Sequence, residues 1–178
     1  MKNMFEELLD KEKAIPLSED QVLALVQGKA NVIRNIDLNR YHSIDEMLNP
    51  YGACFLLYES KLHYGHWCCL IRYNNLLEFF DPYGGFPDSQ LNYINPDFLK
   101  ASGQDNQWLT KLLVDDSCQY DLSYNDHPFQ HMKEGVATCG KWSALRMTLK
   151  ELPLADFKKL FLGKNSDDLV TLWDMINS

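Results

Sequence analysis

The apolar residues of this chain change their spacing along its length, from helical to alternating and back to helical. Residues 1–15 are charged and weakly patterned and read as a short helix or a loose arm. Ser18-Glu19-Asp20-Gln21 has the form of a capping box, and Val22, Leu25 and Val26 after it share one helical face up to a stop at Gly28. Asn31 to Ile36 reads as a short strand. Ser43-Ile44-Asp45-Glu46 is a second capping box, opening a brief helix through Leu48. Ala53 to Tyr58 is a near-continuous apolar run, the mark of a buried central strand. Trp67 to Tyr73 and Leu76 to Phe80 are β-rich runs separated by Asn74-Asn75, residues that tolerate positive φ, so they predict a hairpin. A helix follows over Asp105 to Val114, and Cys118, Tyr120, Leu122 and Tyr124 alternate as in a half-buried strand. Thr138 is placed to cap a buried helix carrying Trp142, Leu145 and Leu149. Leu154 to Leu162 is helical, and Ser166 caps a last helix with Leu169, Leu172, Trp173 and Ile176 on one face. The pattern predicts an α+β fold: a small, mostly antiparallel central sheet flanked by helices. No repeat or linker divides residues 1–178, which read as one domain with a possible N-terminal arm.

Composition narrows the class. The 178 residues are 46% hydrophobic and 24% charged, which suits a globular chain with a real core. No apolar run approaches the ~20 residues that a membrane span needs, and the first residues lack the apolar stretch of a signal peptide. Neither a membrane partner nor export is expected. A net charge of −8 argues against nucleic acid as the main partner, because that binding rests on neutralising phosphates with Lys and Arg. Cys54, Cys68, Cys69, Cys118 and Cys139 are odd in number and irregular in spacing, so reduced thiols in a cytosol-like compartment are expected rather than a disulfide framework.

Cys139 would be the first residue of its helix, where the peptide dipoles and unpaired amides favour thiolate over thiol. That makes it a candidate nucleophile; the alternative is a small buried hydrophobe. The hairpin supplies a candidate base. With Asn74-Asn75 as the loop, Tyr73 faces Leu76 and, counting outward in step, Asp81 lies opposite Cys68. His66 and Asp81 then become diagonal neighbours ~7–8 Å apart at the backbone, within side-chain reach. The carboxylate would orient the imidazole, unless the two form only a surface ion pair. His63, His66, Cys68 and Cys69 lack zinc-ligand spacing, and a strand would point the adjacent cysteines to opposite faces, so no metal is expected.

In chain order the pieces are Gly65-His66-Trp67, Phe80-Asp81-Pro82-Tyr83-Gly84, Gln130 and Thr138-Cys139-Gly140. The set resembles clan CE of the cysteine peptidases, the adenovirus-protease/SUMO-protease superfamily. It is most similar to the capsid-maturation proteases of virophages, Polinton-like elements and large DNA viruses. The resemblance implies Cys139 as nucleophile, His66 as general base and acid, Asp81 as its orienting partner and Gln130 as an oxyanion-hole donor. It also implies Trp67 as a substrate contact or wall and Gly140 as room for backbone approach. Gln130 precedes Cys139 by nine residues, a longer gap than in compact members, which a small insertion at Lys133-Glu134-Gly135 would explain. The implied function is cysteine endopeptidase acting on capsid or core precursors beside small residues such as glycine, with no cofactor, as a monomer, in the virion and cytoplasmic virus factory. An isopeptidase for ubiquitin-like modifiers and a catalytically silent binding protein are the alternatives.

Overall fold

The computed structural model describes residues 2–115 and 119–178; Cys118 lies outside them. One mixed sheet holds β1 (Asn31–Arg34), β2 (Ala53–Lys61), β3 (Tyr64–Tyr73), β4 (Leu76–Phe80) and β5 (Asp121–Tyr124), in that spatial order. The inner pairings are antiparallel and the two edge strands join in parallel. The β3–β4 hairpin has the register its loop dictates, from Tyr73 opposite Leu76 to Cys69 opposite Phe80, and Asn74 takes a positive φ of 52°.

Alternation along β3 feeds two cores. Trp67, Cys69 and Ile71 face one side of the sheet, while Cys68 and Leu70 face the other. The first side is covered by α2 (Glu19–Leu25), α6 (Cys139–Thr148), α7 (Leu154–Phe161) and α8 (Ser166–Asn177). The second is covered by α3 (Ile44–Leu48), α4 (Pro96–Ser102) and α5 (Trp108–Asp115). α6 is central, and every residue from Cys139 to Met147 is buried. Trp142 packs edge-on against Phe161 at 4.8 Å and tilted against Phe129 at 5.3 Å, contacts of about 0.5–1.5 kcal/mol each beyond area burial.

Some expectations hold in detail and others give way for identifiable reasons. The N-terminal stretch is a helix, α1 (Met4–Lys13), opened by a capping box between Asn3 and Glu6 and packed against α8. The box at Ser18 and Gln21 forms in full. At Ser43 only half forms, because Glu46 reaches one residue further back to accept from the His42 amide. Ser166 begins α8 rather than capping it, and its hydroxyl donates to the Phe129 carbonyl. The buried face of α8 is polar: Asp167, Thr171 and Asp174 point inward with Val170, while Ile176 is 80% exposed. These carboxylates have buried donors waiting for them, which an apolar-stripe reading does not register. β5 is an edge strand whose Leu122 and Tyr124 are 48% and 44% exposed, so their side of the strand is only partly covered. α4 lacks a clear apolar stripe, but Asn95 caps it, Pro96 starts it and Gly103, at φ 74°, ends it.

Candidate active site

The site forms where one end of the hairpin meets the start of α6. Gly65 lets β3 press against β2 there, since a Cβ on it would fall 1.9 Å from the Tyr58 carbonyl oxygen. Just beyond, His66 Nε2 lies 2.7 Å from Asp81 Oδ1, the contact that the hairpin register predicts. Asp81 is fully buried and its carboxylate is saturated. Oδ1 also accepts from the Tyr83 amide at 2.9 Å, and Oδ2 accepts from Gln90 Nε2 at 2.6 Å. Its backbone is clamped by Asn125, whose side chain accepts from the Asp81 N–H and donates to the Asp81 carbonyl.

Cys139 meets the same imidazole. His66 and Cys139 line one cleft and each shifts the other's ionisation, and with Nε2 given to Asp81 the nitrogen left to face sulfur is Nδ1. Thr138 stands at the N-cap position but does not cap, because its hydroxyl donates to Asp167 Oδ1 at 2.6 Å. The first amides of α6 therefore stay open, and the Gly140 amide, with that of Trp67, serves the Cys139 sulfur. This is the electrostatic use of a helix start anticipated from sequence, achieved by turning the cap residue away.

The charges reinforce one another. Burial resists ionisation of Cys139, but the His66 hydrogen bond and charge, with the two amides, bring its pKa below the ordinary thiol value. Burial likewise disfavours imidazolium, yet the bonds to Asp81 and Cys139 lift His66 to about 9. Asp81, also penalised by burial, is held below the usual carboxylate range by His66, the Tyr83 amide and Gln90. Both shifts run toward a thiolate–imidazolium pair, the thiol made more acidic and the imidazole more basic.

Gln130 reaches the site from a loop tied down on several sides. The Phe129 and Gln130 amides donate to the Pro82 carbonyl, and the His131 amide donates to Asp167. Gln130 Nε2 sits 3.2 Å from the Tyr83 hydroxyl and 3.3 Å from the Val136 carbonyl, both long contacts, while its buried Oε1 has no partner among the described residues. His66, Cys139, Gln130, Tyr83, Gln90 and Pro16 line one cleft of about 210 Å³.

Trp67 and Gly140 occupy packing positions outside this cleft. The Trp67 indole is buried and donates to the Leu17 carbonyl at 2.9 Å, and a Cβ on Gly140 would press on Val22, Trp67 and Leu17 at 3.0–3.2 Å. His63 is 69% exposed on a turn, and Cys69 faces away from Cys68 into the other core, so the four-residue metal cluster weighed from sequence does not form. His66, Cys68 and Asp81 do bring donor atoms within 4.8 Å of one another, with His66 Nε2 and Asp81 Oδ1 already hydrogen-bonded to each other.

Pattern reading misses Tyr83. Its amide fixes Asp81, its ring stacks on His66 at 4.4 Å and 7°, and its hydroxyl holds Gln130, so one residue touches three members of the site. Burial pushes its phenol up to about 12, keeping it neutral. Beyond its place in the Phe80–Gly84 stretch, its sequence signal is its position two residues after the aspartate, the spacing at which an amide folds back onto an Asx side chain.

No family model matches the sequence. The chain is 40% identical over 165 residues to "Uncharacterized protein V9" of Sputnik virophage, across 89% of this chain and 93% of that one. Its fold is similar to the ASFV pS273R protease, with a TM-score of 0.52 at 13% identity over 92% of this chain and 67% of that one. ChlaDub1 from Chlamydia trachomatis aligns with a TM-score of 0.45 at 12% identity over 96% of this chain and 88% of that one. The likeness to the ASFV protease is one of fold, whereas the virophage match is close enough to fix kinship: the chain belongs to the family of the Sputnik virophage protein.

Proposed function

We propose that the protein is a cysteine endopeptidase that cleaves capsid or core precursor proteins of a virus. The observation that carries this is that Cys139 and His66 line one cleft while His66 is hydrogen-bonded to the buried Asp81, so that one sulfur, one imidazole and one carboxylate come together there. In this reading the Cys139 thiolate attacks the scissile carbonyl carbon. The oxyanion that forms faces the Cys139 amide and Gln130, whose Nε2 turns from one of its long contacts to meet it. His66 gives its proton to the leaving amine, leaving an acyl-enzyme. Water then attacks the thioester with neutral His66 as base, releasing acid and thiolate. A viral precursor as substrate is supported by kinship with a virophage protein and by the fold shared with a viral protease. The small cleft suits residues such as glycine beside the cut.

The test is mass spectrometry of capsid precursors co-expressed with the wild type or with Cys139→Ala, alongside labelling by ubiquitin and SUMO vinyl sulfones. The expected result is precursor cleavage by the wild type alone. Labelling by the modifier probes without precursor cleavage would overturn the maturation reading in favour of an isopeptidase.

Asp81→Asn keeps the shape of the group and removes the charge that lifts His66 to about 9. The alkaline limb of kcat should move down by roughly 1–2 pH units, and the rate should fall less than in His66→Ala. Because the folded pKa lies above the ordinary histidine value, protonated His66 stabilises the fold fully below roughly pH 6.5, and this contribution fades as pH rises through about 9. Asp81→Asn should therefore also flatten the loss of melting temperature between those values. A pH–rate profile and a melting series check both, and an unmoved alkaline limb would refute the role given to Asp81.

A further inference from the structure

Lys141 is a buried ammonium that the reaction does not use. It lies two residues beyond Cys139 in the first turn of α6 and is 1% exposed. Its Nζ donates to the Glu12 and Ile15 carbonyls, both at 3.0 Å, and pairs with Asp174 at 3.5 Å. Those contacts match its three N–H donors. Burial pulls its pKa below the ordinary lysine value while Asp174 opposes the shift. Burying such a group costs several kcal/mol before its partners repay it, and an apolar side chain of equal length would fill the space without that cost.

What Lys141 grips is the segment from Glu12 to Leu17, which is fastened at further points. The Ala137 amide donates to the Lys13 carbonyl at 2.9 Å, and the Trp67 indole donates to the Leu17 carbonyl at 2.9 Å. The Leu17 side chain lies against Gly140, where a Cβ would meet it at 3.2 Å. The Lys13 ammonium pairs with Asp10 and with Asp168, the neighbour of the residue that holds Thr138. Between these ties Pro16 is exposed and lines the cleft together with His66, Gln130 and Cys139.

We infer that Lys141 is a positioning residue, and that the Glu12–Leu17 segment it fastens is a strap whose Pro16 forms part of the surface that binds substrate. The strap contributes to holding the peptide and leaves the nucleophile's own chemistry alone. The substrate half of this inference rests on the peptidase reading; the attachment of the strap does not.

The test uses the full chain, with Lys141→Met to release the strap and Pro16→Gly to alter its exposed wall. In Lys141→Met, hydrogen exchange of the Ala137 amide should quicken about tenfold while amides late in α6 keep their protection. Both variants should raise KM for a peptide substrate about tenfold with kcat within about threefold of wild type. A KM within about twofold of wild type in both variants, or a fall in kcat alone, overturns the inference. Should Lys141→Met fail to fold, Pro16→Gly, on an exposed position, decides it by the same KM criterion. If the wild type cleaves no peptide, the peptidase reading falls, and the strap is judged by exchange, where an unchanged Ala137 amide in Lys141→Met or, failing that, in Asp174→Ala, which removes the charge partner of Lys141, overturns it.

Discussion

Cys139→Ala is expected to lower kcat/KM for a cleaved peptide by about ten-thousandfold or more, and His66→Ala to cost nearly as much. The two losses should not add, because in the proposed mechanism sulfur and imidazole act as one unit, so the double variant should be no slower than the worse single one. The change at Cys139 removes one sulfur at the rim of a core, so stability should fall by about 1 kcal/mol at most, with the fold and cleft intact. Kinetics on purified singles and the double, beside melting curves, check these claims together. Residual turnover within a hundredfold of wild type in Cys139→Ala, or losses that multiply, would remove Cys139 from the reaction.

How far sequence reaches is visible at this same site. The contact of His66 with Asp81 is legible because a two-residue loop and strict strand alternation turn sequence distance into position. Cys139 at a helix start is legible because Trp142 and Leu145 set the helix phase. Gln130 is harder: a nine-residue gap separates it from Cys139, and ties from Pro82 and Asp167 place it, none of which leaves a periodic trace. Thr138 shows the limit of local rules. It is a good cap residue at a cap position, yet Asp167 on the last helix takes its hydroxyl and leaves the helix start open. Trp67, which the resemblance sets beside the site, packs into the core with Cys69 because alternation along β3 sends it there. What escapes sequence reading is the partner of each buried polar group, since the two ends lie far apart in the chain and meet only in the fold.

Glu78→Ala should be the most destabilising of the substitutions considered. Glu78 interrupts the run Leu76-Leu77-Glu78-Phe79-Phe80, and Arg146 stands amid the buried residues of α6; each is a misfit in its own element, and each answers the other. Arg146 Nε and Nη2 donate to the two Glu78 oxygens at 2.7 and 2.9 Å, and its remaining contacts reach the Leu149 and Leu152 carbonyls and the Phe157 ring. Removing the carboxylate strands a guanidinium that is 1% exposed, a loss of about 3–5 kcal/mol. In a chain of this size that is roughly 6–20 °C in melting temperature. Replacing both partners, Glu78→Leu with Arg146→Met, should recover most of the loss, because no uncompensated charge remains. The pair also fixes α6, which carries Cys139, against β4, which ends one residue before Asp81, so it joins the two halves of the site through the core. Thermal and urea melts of the singles and the double test this. A melting temperature within about 3 °C of wild type in Glu78→Ala, or a double variant as unstable as the single, would mean that the charges are not the source of the stability.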